Sequence, residues 1–355
     1  MGVKKLLMLS LTCLLVIAVA GCGSNNGNSA GSNKEADKTN TGATQTAGES
    51  GTPQELTKIK IALDWTPNTN HTGLYVARDL GYYKEEGLDV EIVQPGAAGA
   101  DTMVTSGEAA FGIGYQEGLT LARLQGVPLV SLAAIIQHNT SGFAAPKSKG
   151  ITSPKDFEGK TYGGWGSPVE EAALKAIMDP EGADVKKVKI INMGEADFFT
   201  AVKRDIDFAW IFYAWTGIQA ELRGEPIDML YVKDYAPQLD YYTPVLTTSE
   251  KEITEHPEIV KAFVKATSKG YKYAIDHPED AANILIKAVP DLDPKLVMAS
   301  QKWLSPKYQD DAPRWGEQKA EVWKNYADWM YGLKLLEKPV DTSKAFTNDY
   351  LPAAQ

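Results

Sequence analysis

Cysteine is almost absent from this chain. Its 355 residues include only Cys13 and Cys22, so everything beyond residue 22 lacks a disulfide framework, a thiolate nucleophile and a cysteine metal site. The body has to be held by burial alone. Histidine is scarce as well. His71, His138, His256 and His277 are the only four, none paired at helical metal spacing, and there is no H-E-x-x-H. His256 and His277 each precede a proline and read as helix starts. Gly159-Lys160-Thr161 ends like a phosphate loop, but Pro154 stands where the upstream glycine is required. No G-x-S-x-G elbow is present. With no nucleophile–base constellation, the chain reads as a non-enzyme that needs no cofactor and no metal.

Positive charge is also short. Net charge is −10, and the first 21 residues hold Lys4 and Lys5 as their only charges, so the remainder carries −12. Such a surface is not built for nucleic acid or an anionic membrane. Arginine occurs five times, at Arg78, Arg123, Arg204, Arg223 and Arg314, none in the candidate ligand loops identified below. Tryptophan and tyrosine are plentiful, at eight and sixteen.

The amino terminus carries an export pattern. Lys4 and Lys5 precede an apolar run, Leu6 to Ala20, too short for a confident membrane span. The run ends in Val19-Ala20-Gly21-Cys22, which resembles a bacterial lipobox. In that reading residues 1–21 are a lipoprotein signal peptide and Cys22 takes the lipid. An ordinary signal peptide with an incidental cysteine, or an uncleaved anchor, is the alternative. Residues 22–56 are rich in Ser, Asn, Gly and Thr and read as a flexible tether. The membrane is then reached through the lipid anchor only, on the outer side of the cell membrane.

Beyond the tether the hydrophobic pattern alternates between strand and helix periods. Lys58 to Leu63 has period two, His71 to Leu80 reads as a helix stopped by Gly81, and Leu88, Val90 and Ile92 alternate again. Strands are expected near Phe111–Ile113 and Val127–Ile136. After a polar break at Lys147-Ser148-Lys149-Gly150 a second such run begins with Lys160-Thr161-Tyr162. Its later strands are expected near Val188–Asn192, Asp207–Phe212, Met229–Val232 and Val245–Thr247. The remainder is mostly helical, notably 257–275 and 318–336. Two alternating runs indicate an α/β protein with largely parallel sheets.

Polar and aromatic residues cluster where strands end, the place where such sheets hold ligands. Asp64-Trp65-Thr66-Pro67-Asn68-Thr69-Asn70-His71 follows the first strand. Trp65 can stack on a planar ring and Asn70 can read its edge, or the segment is a plain turn with Trp65 in the core. In Gly163-Gly164-Trp165-Gly166-Ser167-Pro168-Val169-Glu170, Ser167 and Glu170 form a capping box and Pro168 suits the first helical position. Gly166 and Ser167 can offer backbone N–H groups to a ligand beside the Trp165 wall, or the box only caps a helix. Glu195 can accept from an amidine-like edge or sit solvated in its loop. Trp210 and Tyr213 belong to an aromatic-rich strand end that serves stacking, core packing or both. Tyr115-Gln116-Glu117 and Gln137-His138-Asn139-Thr140-Ser141 add polar groups after two further apolar runs, or simply end their strands in solvent.

These residues resemble a known family. The first-strand segment, Gly163 to Pro168, and Ile151-Thr152-Ser153-Pro154-Lys155-Asp156-Phe157-Glu158-Gly159-Lys160 look like those of thiamine-pyrimidine-precursor binding proteins, over about Lys58 to Pro339. The resemblance implies a two-lobed type II periplasmic-binding-protein fold with two hinge crossovers. It implies a small-molecule partner such as N-formyl-4-amino-5-aminomethyl-2-methylpyrimidine, ABC permease and ATPase subunits, and a monomeric receptor. Lobe one is then expected at 57–146 plus 249–355 and lobe two at 147–248, with crossovers near 146–150 and 242–248. The same superfamily holds a pyrimidine synthase branch that consumes its own histidine and pyridoxal phosphate beside a cysteine-rich iron motif. His71 falls in the similar segment, but the body has no cysteine, so His71 reads as a binding or cap residue. A receptor for sulfonate or nitrate is the rival on the same fold, although such anions favour a guanidinium fork. A purely structural surface lipoprotein is the rival outside it.

Overall fold

The computed structural model describes residues 55–354 except 97, 98 and 195. Cys22, the export pattern and most of the expected tether lie outside the described residues, as does Glu195. Ten strands form two five-stranded sheets. The first comprises β1 (Thr57–Ala62), β2 (Leu88–Val93), β3 (Phe111–Gly114), β4 (Leu129–Ala134) and β10 (Val245–Ser249), in the order β2-β1-β3-β10-β4. The second comprises β5 (Ser141–Pro146), β6 (Thr161–Gly164), β7 (Lys189–Asn192), β8 (Phe208–Phe212) and β9 (Ile227–Tyr231), in the order β7-β6-β8-β5-β9.

The helices fall between and after them. In the first run are α1 (Thr72–Asp79), α2 (Tyr82–Glu85), α3 (Ala100–Ser106) and α4 (Gln116–Leu124). In the second are α5 (Pro168–Met178), α6 (Phe198–Arg204), α7 (Ile218–Arg223) and α8 (Val232–Tyr235). The closing run is α9 (Glu250–Glu255), α10 (Pro257–Asp276), α11 (Pro278–Ala288), α12 (Pro294–Leu304) and α13 (Ala320–Gly332).

Strand direction follows from how each strand is reached. A strand entered through a helix returns to the same edge and lies parallel, as β1, β2 and β3 do. A strand that arrives from the other lobe enters at the opposite edge. Thus β5 is antiparallel to β8 and β9, and β10 is antiparallel to β3 and β4. This is the two-lobed α/β arrangement expected, with shifted boundaries. The first crossover is 135–140, between β4 and β5, because β5 pairs in the second sheet. The Lys147–Lys149 break is a turn inside lobe two, and Gly150 takes φ 63° after it. A polar break marks a strand end and does not by itself mark a lobe boundary. Likewise β10 belongs to sheet one, so the second crossover ends before Val245.

Each sheet has its own core. In lobe one Phe111 and Phe263 stack at 3.8 Å between ring centroids, among Ile61, Leu74 and Leu132. Lobe two centres on Phe143, Tyr162 and Phe208, with Phe157 stacked on Phe208 at 4.1 Å. Each such ring contributes about 1.5–3 kcal/mol by burial. The expected apolar face of 257–275 is buried at Val260, Phe263, Val264, Thr267 and Tyr271. Helix α13, assigned to lobe one by its place in the chain, clips both lobes. Trp323 packs with Leu119, Tyr242 and Val245, whereas Tyr326 and Met330 enter the lobe-two core. Among the described residues no helix is long and apolar enough to cross a membrane.

Candidate ligand-binding site

The carboxyl end of β1 delivers Asp64 and Trp65 in succession. Both stand in the bend that follows β1. Asp64 turns inward, its side chain 5% exposed, and Trp65 turns outward, 50% exposed. The Asp64 carboxylate accepts from His71 Nε2 at 2.6 Å and from the Tyr115 hydroxyl at 2.5 Å. The Asn68 N–H donates to His71 Nδ1, which leaves the ring proton on Nε2. Burial alone would raise the Asp64 carboxyl. The attraction and bond of His71 and the bond from Tyr115 outweigh it and hold Asp64 below its ordinary range. Burial and the Asp64 charge push the Tyr115 hydroxyl far up.

Two further acids lie at the same edge of lobe one. Asp101 sits in the first turn of α3, and its Oδ1 is buried without a hydrogen-bond partner. It lies over the turn from β3 into α4. A Cβ on Gly114 would come within 2.9 Å of Asp101 Oδ1, so only glycine leaves the carboxylate its place. Burial, then the charge of Asp64, pushes Asp101 up to about 6. Glu117, in the first turn of α4, makes no side-chain hydrogen bond or ion pair among the described residues. Burial, then the charge of Glu170, pushes it up to about 7. Since Glu170 belongs to α5, the first turns of α4 and α5 bear on each other from opposite lobes.

In lobe two the expected capping box is present, with Ser167 Oγ accepting the Val169 N–H. Glu170 does much more than complete it. Its Oε1 accepts the N–H groups of Gly166 and Ser167 at 2.8 and 2.7 Å. Its Oε2 accepts the Trp165 N–H at 3.1 Å and the Tyr162 hydroxyl at 2.6 Å. The amides of Gly166 and Ser167, expected to meet a ligand, are therefore occupied by the chain's own carboxylate. Gly166 is needed for its backbone: φ is 91°, and a Cβ would lie 2.5 Å from Asn192 Nδ2. Fixing this loop presents Trp165 outward, 47% exposed. Half-buried Trp210 lies 5.6 Å from Trp165 and 5.1 Å from Phe143, linking that wall to the core, with its Nε1 unpartnered.

Other sequence candidates turn out to have their polar groups engaged within the fold. His71 is fully buried with both ring nitrogens bonded. Gln116 is fully buried, with Oε1 accepting from the Tyr242 N–H and Nε2 donating to the Val322 carbonyl. Asn139 joins the crossovers: Oδ1 accepts from Ser141 and Nδ2 donates to the Leu239 carbonyl. His71 is the cap residue of the sequence reading, completing a capping box with Asn68, whereas Gln116 and Asn139 are corrections with one cause, since a polar residue after a strand serves the hinge as readily as the ligand. Asn70 is half-buried, and its carbonyl accepts from the Tyr271 hydroxyl. Tyr213 packs on Trp303 of α12 at 5.1 Å and bonds Glu221, a contact between the lobes. Sequence reasoning passed over Asp101, eight residues beyond the end of β2, whereas Asp64 and Glu117 lay inside segments it singled out after β1 and β3. Among the described residues no group of three or more His, Cys, Asp or Glu is placed to hold a metal. A surface depression of about 530 Å³ between Arg123 and Lys344 has no aromatic wall and lies apart from this edge.

A family description, NMT1/THI5 like, matches residues 68–281. The chain belongs to the NMT1/THI5-like family. The formylaminopyrimidine-binding protein of Halalkalibacterium halodurans is 30% identical over 83% of this chain and 91% of its own. The 4-amino-5-hydroxymethyl-2-methylpyrimidine phosphate synthase of Legionella pneumophila is 27% identical over 83% of this chain and 92% of its own. The fold matches the alkanesulfonate-binding protein SsuA of Xanthomonas axonopodis pv. citri, with a TM-score of 0.63 and 14% identity. That match covers 82% of this chain and 99% of the other. This NMT1/THI5-like chain thus has the type II periplasmic-binding-protein fold, and its relatives include both binding proteins and synthases.

Proposed function

We propose that this chain is the extracytoplasmic receptor of an ABC importer and binds a 4-aminopyrimidine precursor of thiamine, formylaminopyrimidine or a close analogue, between its lobes. The observation that carries the reading is the pairing of the exposed Trp65 and Trp165 with a helix start already filled by Glu170. Flat aromatic walls suit a pyrimidine face. An oxyanion such as sulfonate would seek the amides at the start of α5, and Glu170 holds them. The 30% identical binding protein supports the same ligand class. The synthase reading is weaker, because His71 is sealed in the fold and the body lacks cysteine. Val19-Ala20-Gly21-Cys22 supports anchoring through a lipid on Cys22, and Cys22→Ala is expected to move the protein out of the membrane fraction. Isothermal titration with formylaminopyrimidine, hydroxymethylpyrimidine, taurine and nitrate tests the ligand class. Pyrimidine heat without anion heat is expected, and the reverse pattern overturns the reading.

A further inference from the structure

Lobe two touches lobe one at a place that neither the crossovers nor α13 account for. Between β8 and α7 the chain makes one wide π-helical turn, Tyr213–Gly217. Such turns are rare and recur at functional positions. This one is braced inside lobe two: the Tyr213 hydroxyl donates to Glu221, and a Cβ on Gly217 would strike the Tyr213 ring at 2.5 Å. Its outer residues lie on lobe one. Ala214 is buried in the lobe-one core with Leu74, Val264 and Leu304. Half-buried Trp215 packs on Tyr75 of α1, Leu285 of α11 and Val297 of α12. One side chain joins this seat to the candidate site. Ser300 of α12, completely buried, donates to the Ala214 carbonyl and shares a bond of 2.6 Å with Thr69 Oγ1. A carbonyl can only accept, so the one Ser300 hydroxyl hydrogen goes to Ala214 and Thr69 supplies the hydrogen of the other bond. The chain Thr69 to Ser300 to Ala214 therefore has a fixed direction. It starts in the loop between Trp65 and His71 and ends on the backbone of the opposite lobe.

We propose that the turn Tyr213–Gly217 is a latch: seated on α11 and α12 with its Ala214 carbonyl on Ser300, it holds the lobes together before any ligand arrives, and they part only when it lifts. The contact is built to release. Trp215 is only partly covered, and the polar groups of the seat are two hydroxyls and one carbonyl, which all find water once the surfaces separate. A receptor already in its binding-competent form loses little affinity to the conformational step, and weakening the latch imposes that loss. The hydrogen-bond chain also makes the seat sensitive to the loop that carries Trp65. A ligand that fixes this loop fixes Thr69 and, through Ser300, fastens the turn. The latch does not depend on which molecule occupies the cleft.

The first arm of the test is small-angle scattering of the intact protein without ligand. Trp215→Ala and Ser300→Ala are each expected to have a larger radius of gyration than the parent, with thermal melts confirming that both fold. Ser300→Ala removes a single hydroxyl and keeps the test decisive if the tryptophan variant does not fold. The second arm is stopped-flow release of formylaminopyrimidine. Both variants should release it about tenfold faster than the parent, and Trp215→Phe, which keeps a ring for the seat, should restore most of the difference. Unchanged radii in the folded variants, or unchanged release, would make the turn a fixed joint and overturn the latch. A parent that contracts when formylaminopyrimidine is added overturns it as well, because a latched receptor has nothing left to close. If the parent binds no pyrimidine, the ligand reading above falls, and the ligand-free radii still decide the latch.

Discussion

Two glutamates bear on each other from opposite lobes, and the fold treats them in opposite ways. Glu170, 2% exposed, accepts three backbone N–H bonds and one tyrosine hydroxyl. Glu117 has no donor at all among the described residues, and its carboxyl is pushed up to about 7 by burial and by Glu170. Both occupy the first turn of a helix, where a carboxylate favours the helix dipole. The difference is in what surrounds them. The lobe-two loop wraps its backbone around the acid and becomes rigid. The lobe-one turn leaves the acid partly buried and without a donor among the described residues.

The comparison breaks most dramatically at Glu170. Glu170→Ala would leave the N–H groups of Trp165, Gly166 and Ser167 and the Tyr162 hydroxyl without their acceptor. A loss of roughly 3–5 kcal/mol is expected, as for a buried network that loses its central charge. Urea denaturation measures it, and a loss under about 1 kcal/mol would show that the loop holds itself.

Glu117→Gln sharpens the contrast from the other side, because the sign reverses. The folded-state pKa of Glu117 is raised, so between about 4.5 and 7 the folded protein keeps a proton that the unfolded chain releases. Stability conferred by that proton is present at low pH and lost as pH rises through 7. The ligand-free Glu117→Gln protein should therefore be more stable than the parent at pH 8, by about 1–3 kcal/mol, and indistinguishable near pH 4. Denaturation curves at both pH values check this, and destabilisation at pH 8 would mean that Glu117 has a partner in the free protein.

The aromatic walls supply the third contrast. Trp165 stands on the rigid loop fixed by Glu170 and leans on Trp210, whereas Trp65 is carried by the turn after β1. Trp165→Ala should weaken every pyrimidine, whatever its substituents. Base–aromatic stacking is worth about 1–3 kcal/mol, which is roughly five- to 150-fold in Kd. Trp65→Ala should act in the same direction. Titration calorimetry decides, and unchanged affinity in both variants would remove the tryptophans from the site.

Much of this was legible in the sequence, and the gaps have physical causes. Alternation with period two placed β1 and β2, and the Ser167–Glu170 spacing placed the start of α5. The lobe boundaries slipped because Ser141–Pro146 was not read as a strand at all and Val245–Ser249 read as an ordinary one. Only pairing reveals that each is the strand inserted antiparallel from the other lobe. The tryptophans were visible as candidates because large apolar side chains after a strand have few uses in solvent. The cap reading of His71 holds, whereas Gln116 and Asn139 were misleading, since they bond Tyr242, Val322 and Leu239 far along the chain. Asp101 went unnoticed for the converse reason: what distinguishes its carboxyl is an oxygen buried without a partner, a property of three-dimensional surroundings. Glu195 and Cys22 lie outside the described residues and remain proposals.

The smallest effect is expected at the hinge, where acid and base are paired and both crossovers meet. His138 Nδ1 lies 2.7 Å from Asp240 Oδ2, and His138 Nε2 lies 3.2 Å from Asp311 Oδ1. Asp240 also accepts the Asn139 N–H, so one carboxylate ties the second crossover to the first. The bond to Asp240 is the main cause that raises His138 to about 9, against a partial opposing effect of burial. For a histidine raised in the folded state, the stabilisation is fully present below the unfolded value near 6.5 and is lost as pH climbs through about 9. The His138 side chain is 36% exposed, so solvent screening limits the gain to about 0.5–1 kcal/mol. His138→Gln should therefore cost that little at pH 6 and nothing at pH 10, where the parent has lost its charge too. Because the ion pair spans the crossovers, the variant should leave pyrimidine affinity within about threefold while speeding ligand release, as measured by stopped-flow tryptophan fluorescence. A cost that persists undiminished at pH 10 would show that His138 acts by packing, leaving the Asn139 bonds and the Ile135 N–H bond to the Pro244 carbonyl to join the crossovers.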